Sequence, residues 1–192
     1  MRNLLKTIPN QLTAARLVLI PVMWALAWLK LPIYIGIGTF VSFITDVLDG
    51  RIARRLNQVS EFGSQFDSLA DNLLLPSALV WLWLFRPEIY LDHILVCWIA
   101  ITLYFSSLLL GAVKFKRFAN LHLYSSKAAS VAMYLFVSHA LIADHYSPVL
   151  FYIATAMFLV SSIEGLLLQL VCSQVNEHMG SLLLVLQRRN SG

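Results

Sequence analysis

Apolar residues in this chain gather into long blocks separated by short polar stretches. A helix that crosses a bilayer needs about 20 mostly apolar residues, with a range near 17–25. Six blocks approach that length: Leu12–Leu29, Ile33 to about Leu48, Ser68 to about Phe85, about Ile89 to Gly111, about Lys127 to Ala143, and a last one from Pro148 to about Val171. Pro32 helps to stop the first, Arg86 and Pro87 end the third, and Asp144 to Pro148 turn the chain before the sixth. The pattern predicts an all-α, polytopic membrane protein with about six transmembrane helices, organised as a single domain over residues 1–192.

Composition agrees with that reading. Hydrophobic residues make up 59% of the chain and charged residues only 12%, against about 25% charged in ordinary soluble domains. The formal net charge is +4, yet no long basic tract accompanies it, so membrane lipid headgroups are the expected partners and nucleic acid is not. Arg2 and Lys6 precede a long apolar stretch without a convincing cleavage site, which reads as a retained first membrane helix. Cys97 and Cys172, each in an apolar run, are expected to be small buried hydrophobes. Trp24, Trp28, Trp81, Trp83, Phe85 and Trp98 fall mostly near span ends, where aromatic residues anchor to the interface.

Basic residues orient the spans. Arg2, Lys6, Arg16, Arg51, Arg54, Arg55, Lys114, Lys116, Arg117, Lys127, Arg188 and Arg189 fall on one side, against Lys30 and Arg86 on the other. Because positive charge favours the cytoplasmic side, both termini and the segment 46–71 are predicted to be cytoplasmic.

That segment, DVLDGRIARRLNQVSEFGSQFDSLAD, holds four Asp, one Glu and three Arg beside apolar helices. Ionised groups so close to hydrocarbon are costly and usually functional. Asp46 and Asp49 are three residues apart, and Asp67 and Asp71 four apart, so each pair shares a helical face. If residues 57–63 reverse the chain, the two acidic faces converge. Four close carboxylates repel one another, and hard divalent cations such as Mg²⁺ or Mn²⁺ answer that repulsion. Two ions would suit displacement at phosphorus. Gly50 and Ala53 leave space beside Asp49, Gly63 permits a close backbone approach, and Arg54 can pair with an acid or grip a phosphate. The plainer reading is a polar helix end with ordinary ion pairs, for which four Asp are more than needed.

The run Asp46-x-x-Asp49-Gly50-x-x-Ala53-Arg54, eight residues, Gly63-x-x-x-Asp67-x-x-x-Asp71 resembles the signature of the CDP-alcohol phosphatidyltransferases at every fixed position. The resemblance implies a fold of about six spans with the motif across the second and third. It implies phosphatidyl transfer from CDP-diacylglycerol to a small cytoplasmic alcohol with release of CMP. It makes Asp46, Asp49, Asp67 and Asp71 the metal-binding acids and Asp71 also the general base. Gly50, Ala53, Arg54 and Gly63 would border the nucleotide and diphosphate. Members commonly work as homodimers, and the brevity of the chain suits a bacterial inner membrane.

The acceptor is less constrained. Ile8-Pro9-Asn10-Gln11-Leu12-Thr13-Ala14-Ala15-Arg16 resembles the opening of glycerophosphate-using bacterial members, and physically Asn10 or Thr13 can cap a helix after Pro9. Lys114, Lys116, Arg117 and Lys127 could bind an acceptor phosphate, or simply follow the positive-inside tendency. Glycerol 3-phosphate is therefore the first expectation, with inositol, inositol phosphate or serine as alternatives. Ser126 stands where such members often carry Gly, and the fourth span lacks the arginine expected of them. His122 is a lone loop histidine, and Glu164, deep in the last span, calls for a partner such as a serine. An ion-coupled transporter or a silent membrane scaffold is the rival reading; neither explains the complete acidic set.

Overall fold

A computed structural model describes residues 7–56, 61–115, 124–143 and 145–171. The described residues form seven helices: α1 (Ile8–Trp28), α2 (Pro32–Arg55), α3 (Glu61–Phe85), α4 (Pro87–Asp92), α5 (Ile94–Phe115), α6 (Tyr124–Ile142) and α7 (Pro148–Val171). Five of them, α1, α2, α3, α5 and α7, contain stretches long and apolar enough to cross a membrane. At 21 residues, α1 extends about 31 Å at 1.5 Å per residue. The 19-residue α6 is diluted by Ser125, Ser126, Lys127, Ser130 and Ser138 and falls outside that group. The protein is thus all-α and polytopic, with five long apolar helices and a sixth long helix of more mixed character.

Proline places the helix starts. Pro32, Pro87 and Pro148 are the first residues of α2, α4 and α7, and Pro9 lies in the first turn of α1. There the missing N–H costs nothing and the fixed φ favours the helix. Pro21 and Pro76 lie inside α1 and α3, where each removes one backbone bond. Lys30 ends α1 with a φ of 58°, the left-handed region. The Lys30 and Leu31 amides close back on Ala27 O and Leu26 O at 3.0 Å each, a Schellman arrangement whose turning residue is more often glycine.

Several boundaries differ from those expected. The third helix opens at Glu61 rather than Ser68, because amphipathic residues extend it beyond its apolar core. The single segment expected from Ile89 to Gly111 is two helices, α4 and α5, separated at His93 where Asp92 and His93 interrupt the apolar run. Asn10 and Thr13 are inside α1 and buried; the position preceding the helix is Thr7, which makes no capping bond through its side chain.

The described residues divide into two compact units, one within 7–89 and 134–147, the other within 90–133 and 148–171. In the first, α1 packs on α2 and α3. Glycine makes the packing close: a Cβ on Gly36 would lie 2.7 Å from Ile142 Cγ1 and 3.0 Å from Ser138 O, and one on Gly38 would lie 2.8 Å from Met23 Sδ. Trp81 is fully buried, its ring 5.7 Å from that of Trp24, and Trp24 Nε1 donates to Ser77 Oγ at 3.1 Å. Trp81 is core rather than the expected interfacial anchor, because the neighbouring ring of Trp24 packs over it, while Trp24 itself stays exposed on its other face. Trp28, Trp83 and Trp98 are exposed, as anchors would be. Arg86 donates through Nε to Ala140 O at 2.8 Å and through Nη2 to Ala143 O, covering carbonyls at the end of α6.

In the second unit α5 packs on α7. Gln169 Nε2 donates to Ser107 Oγ at 3.2 Å. Lys114 Nζ donates to Gln169 O and Leu170 O, at the carboxyl end of α7. Ser125 Oγ donates to Glu164 Oε2, the helix-to-helix serine contact expected for that acid. Cys97 is half-buried on α5; Cys172 lies outside the described residues.

Candidate functional site

The first unit gathers the four aspartates. Asp46 and Asp49 come from the carboxyl-terminal half of α2, Asp67 and Asp71 from the amino-terminal half of α3. The 46/49 and 67/71 spacings turn each pair toward α1, the helix that both α2 and α3 pack against. There the side chains meet Arg16, in the third turn of α1 and 1% exposed.

One guanidinium reaches all four acids. Arg16 Nη1 lies 3.0 Å from Asp46 Oδ1, 2.8 Å from Asp67 Oδ1 and 3.6 Å from Asp71 Oδ1. Arg16 Nη2 lies 2.7 Å from Asp49 Oδ2. The planar fork of an arginine suits such a multiple contact, where a lysine would offer one point charge. Thr13 Oγ1 is 3.2 Å from Pro9 O and 3.4 Å from Asp49 Oδ2, so its one proton serves either acceptor. From α6, Tyr134 donates its hydroxyl to Asp71 Oδ1 at 3.4 Å.

Burial separates the acids. The Asp49 side chain is 6% exposed, those of Asp67 and Asp46 are 24% and 27%, and that of Asp71 is 33%. Asp49 is therefore sealed against protein, and Asp71 is the most open to an arriving molecule.

The donor set fits a hard divalent cation. Asp46, Asp49 and Asp67 each offer a carboxylate oxygen, and these oxygens all lie within 4.8 Å of one another. Four carboxylates face one guanidinium, so the cluster, when ionised, keeps an excess of negative charge in an apolar setting. Carboxylate oxygens are the ligands that Mg²⁺ and Mn²⁺ favour.

The remaining expected site residues are placed less completely. Gly50, half-buried, follows Asp49 directly, and Gly63, also half-buried, is in the first turn of α3. Ala53 and Arg54 belong to the end of α2, but their side chains lie outside the described set. Lys114 and Lys127 belong to the second unit. Lys114 is engaged with the end of α7, and Lys127 is exposed in the first turn of α6. Lys116, Arg117 and His122 lie outside the described residues.

Arg16, Thr13 and Tyr134 were not expected at the site from the sequence. In the sequence Arg16 serves as a charge that orients the first span and as the end of the opening that bears on the acceptor, with no place among the four acids. The signal that would have found it is an arginine one helical turn beyond Thr13 inside an apolar helix, since such a cation needs a partner.

Comparison with known proteins adds a family to this geometry. The family model for CDP-alcohol phosphatidyltransferase matches residues 6–170. A protein of Rickettsia typhi (strain ATCC VR-144 / Wilmington) named CDP-diacylglycerol–glycerol-3-phosphate 3-phosphatidyltransferase is 41% identical over 73 residues, 36% of this chain and 41% of that protein. One of the same name from Bacillus subtilis (strain 168) is 37% identical over 88 residues, 38% of this chain and 46% of that protein. A Drosophila melanogaster protein named "Probable cardiolipin synthase (CMP-forming)" is 41% identical over 81 residues, 41% of this chain and 25% of that protein. The chain spans less than half the length of these curated relatives in each match. No solved structure matches it significantly.

Proposed function

This chain belongs to the CDP-alcohol phosphatidyltransferase family, and from that premise we propose that it transfers a phosphatidyl group from CDP-diacylglycerol to glycerol 3-phosphate with release of CMP. The observation that carries the reading is the meeting of Asp46, Asp49 and Asp67, with ligand oxygens within 4.8 Å, beside the more open Asp71. The relatives from Rickettsia and Bacillus, whose names specify glycerol 3-phosphate, support the acceptor.

In the proposed reaction the acceptor hydroxyl oxygen attacks the lipid-linked phosphorus of the diphosphate. The bond from that phosphorus to the CMP oxygen breaks, CMP leaves with the electron pair, and a phosphodiester remains. Asp46, Asp49, Asp67 and Asp71 hold divalent cations. The chemistry that Mg²⁺ or Mn²⁺, as two ions, supplies there is neutralisation of the diphosphate and of the charge growing on the departing oxygen. Asp71 accepts the hydroxyl proton; its greater exposure and its Tyr134 contact favour it over Asp49 for that role. Gly50, Ala53, Arg54 and Gly63 border the nucleotide and diphosphate. Lys127, with Lys116 and Arg117, binds the acceptor phosphate; Lys114 is the least available for it, because its ammonium already serves the end of α7.

The distribution of basic residues supports a cytoplasmic active site and cytoplasmic termini in a bacterial inner membrane. The working unit is taken to be a homodimer.

A second acceptor is favoured by the Drosophila relative: transfer to the free hydroxyl of phosphatidylglycerol gives cardiolipin by the same chemistry. The deciding experiment incubates membranes containing the full chain with CDP-diacylglycerol, Mg²⁺ or Mn²⁺, and separate labelled acceptors: glycerol 3-phosphate, phosphatidylglycerol, inositol, inositol phosphate and serine. Product with glycerol 3-phosphate and CMP release is expected. Product with another acceptor alone would replace the acceptor, and product with none would remove the transferase reading.

A further inference from the structure

Arg16 stands among the oxygens that a divalent cation would need. Its Nη1 contacts Asp46 Oδ1 and Asp67 Oδ1 at 3.0 and 2.8 Å, and its Nη2 contacts Asp49 Oδ2 at 2.7 Å. These three acids are the ones whose ligand oxygens lie within 4.8 Å of one another. Guanidinium and metal ion therefore draw on one set of carboxylates.

Two further observations separate this arrangement from an ordinary structural ion pair. One or two acids would satisfy a buried arginine, yet four surround this one. Among the described residues Arg16 Nε also has no hydrogen-bond partner, although the residue is only 1% exposed. A guanidinium built purely as a fixed pin would have that donor satisfied, since a buried unpaired donor is destabilising. The contacts are made by the outer nitrogens alone, the end of the side chain that a small rotation moves most.

We propose that Arg16 is a positioning residue that competes with divalent cations for the carboxylates of Asp46, Asp49 and Asp67. Without a cation it holds the acids together against their mutual repulsion; as a cation binds, its hold on them yields, and its positive charge lowers the affinity of the cluster. Arg16 thereby sets how tightly the site grips its ions. The inference rests on the reading of the aspartates as cation ligands.

The test is a Mn²⁺ titration of the purified full chain in lipid nanodiscs without substrate, with free Mn²⁺ followed by its electron paramagnetic resonance signal. Arg16→Met removes the competing charge and is expected to tighten Mn²⁺ binding about tenfold or more. Arg16→Lys keeps the charge but loses the fork and is expected to bind Mn²⁺ more tightly than wild type but less tightly than Arg16→Met. With chelator present, Arg16→Met should melt at a lower temperature than wild type, and added Mn²⁺ should raise its melting temperature by more. A purely structural arginine would lower stability while leaving affinity unchanged or weaker, so equal or weaker Mn²⁺ binding in the variants overturns the competition and leaves the cation reading standing. Wild-type protein that binds no Mn²⁺ overturns both. If Arg16→Met does not fold, Arg16→Lys decides by the same comparison with wild type.

Discussion

Tyr134 on α6 directs its hydroxyl at Oδ1 of Asp71 on α3, across 3.4 Å. The same carboxylate oxygen is 3.6 Å from Arg16 Nη1. Asp71 is thus oriented from two sides while a third of its side-chain surface stays open.

Replacing Tyr134 with Phe removes one of those two guides and leaves the ring packed against Phe43, 5.7 Å away between centroids. The hydrogen bond is long, so its loss is worth about 1 kcal/mol, or roughly fivefold in rate. Steady-state kinetics on Tyr134→Phe should show the fall in kcat with little change in KM for CDP-diacylglycerol.

Asp71→Asn keeps the shape of the side chain but cannot take a proton. Turnover should fall by about three orders of magnitude or more, while binding of CDP-diacylglycerol remains measurable by isothermal titration. Turnover close to wild type would remove Asp71 from the role of base.

Asp49 behaves differently because it is sealed, at 6% side-chain exposure, and makes the shortest contact with Arg16. Asp49→Asn withdraws one counter-charge from a buried guanidinium, which is strongly destabilising when the partner is left alone. Three other acids remain within 3.6 Å of Nη1, so the expected loss is about 2 kcal/mol, below the usual value for a broken buried pair. Thermal unfolding in detergent with chelator present checks it.

Gly36 lets α2 approach the end of α6. A methyl group there would meet Ile142 Cγ1 at 2.7 Å and the Ser138 carbonyl oxygen at 3.0 Å. The first neighbour is a side chain that can turn away; the second is backbone and cannot. Gly36→Ala should therefore lower stability by about 1–3 kcal/mol, seen as a lower melting temperature, while activity per folded molecule is retained.

Lys30 offers the opposite sign. Its φ of 58° is unfavourable for any side chain by about 1–2 kcal/mol. Glycine adopts it freely but gains more freedom in the unfolded chain. Lys30→Gly should stabilise the protein by about 0.5–1 kcal/mol, read as a rise in melting temperature with unchanged activity.

Much of this is legible in the amino-acid sequence. The acidic pairs were found by spacing, because a helix converts intervals of three and four into one face, and the structure brings both faces to one arginine. Glu164 was given a serine by the same reasoning that an acid inside an apolar helix needs a partner, and Ser125 is that serine. Arg16 satisfies the identical condition, but its basic charge and its place in the opening stretch already account for it in the sequence, which hides its part among the acids. The break between α4 and α5 at His93 was hidden because apolar residues continue on both sides of it. Trp81 was misplaced because a tryptophan near a helix end reads as an anchor until a second ring, here Trp24, is known to lie against it.

Arg86 carries a last consequence. It follows the final residue of α3 and grips the carbonyls of Ala140 and Ala143 at one extremity of α6, while Tyr134 and Asp71 join the same two helices further along. Two rods tied at two points move as a brace. Sliding of α3 along α6 would have to break both ties at once, so the height of Asp71 against Tyr134 is fixed by a contact made at the far end of the same helix pair.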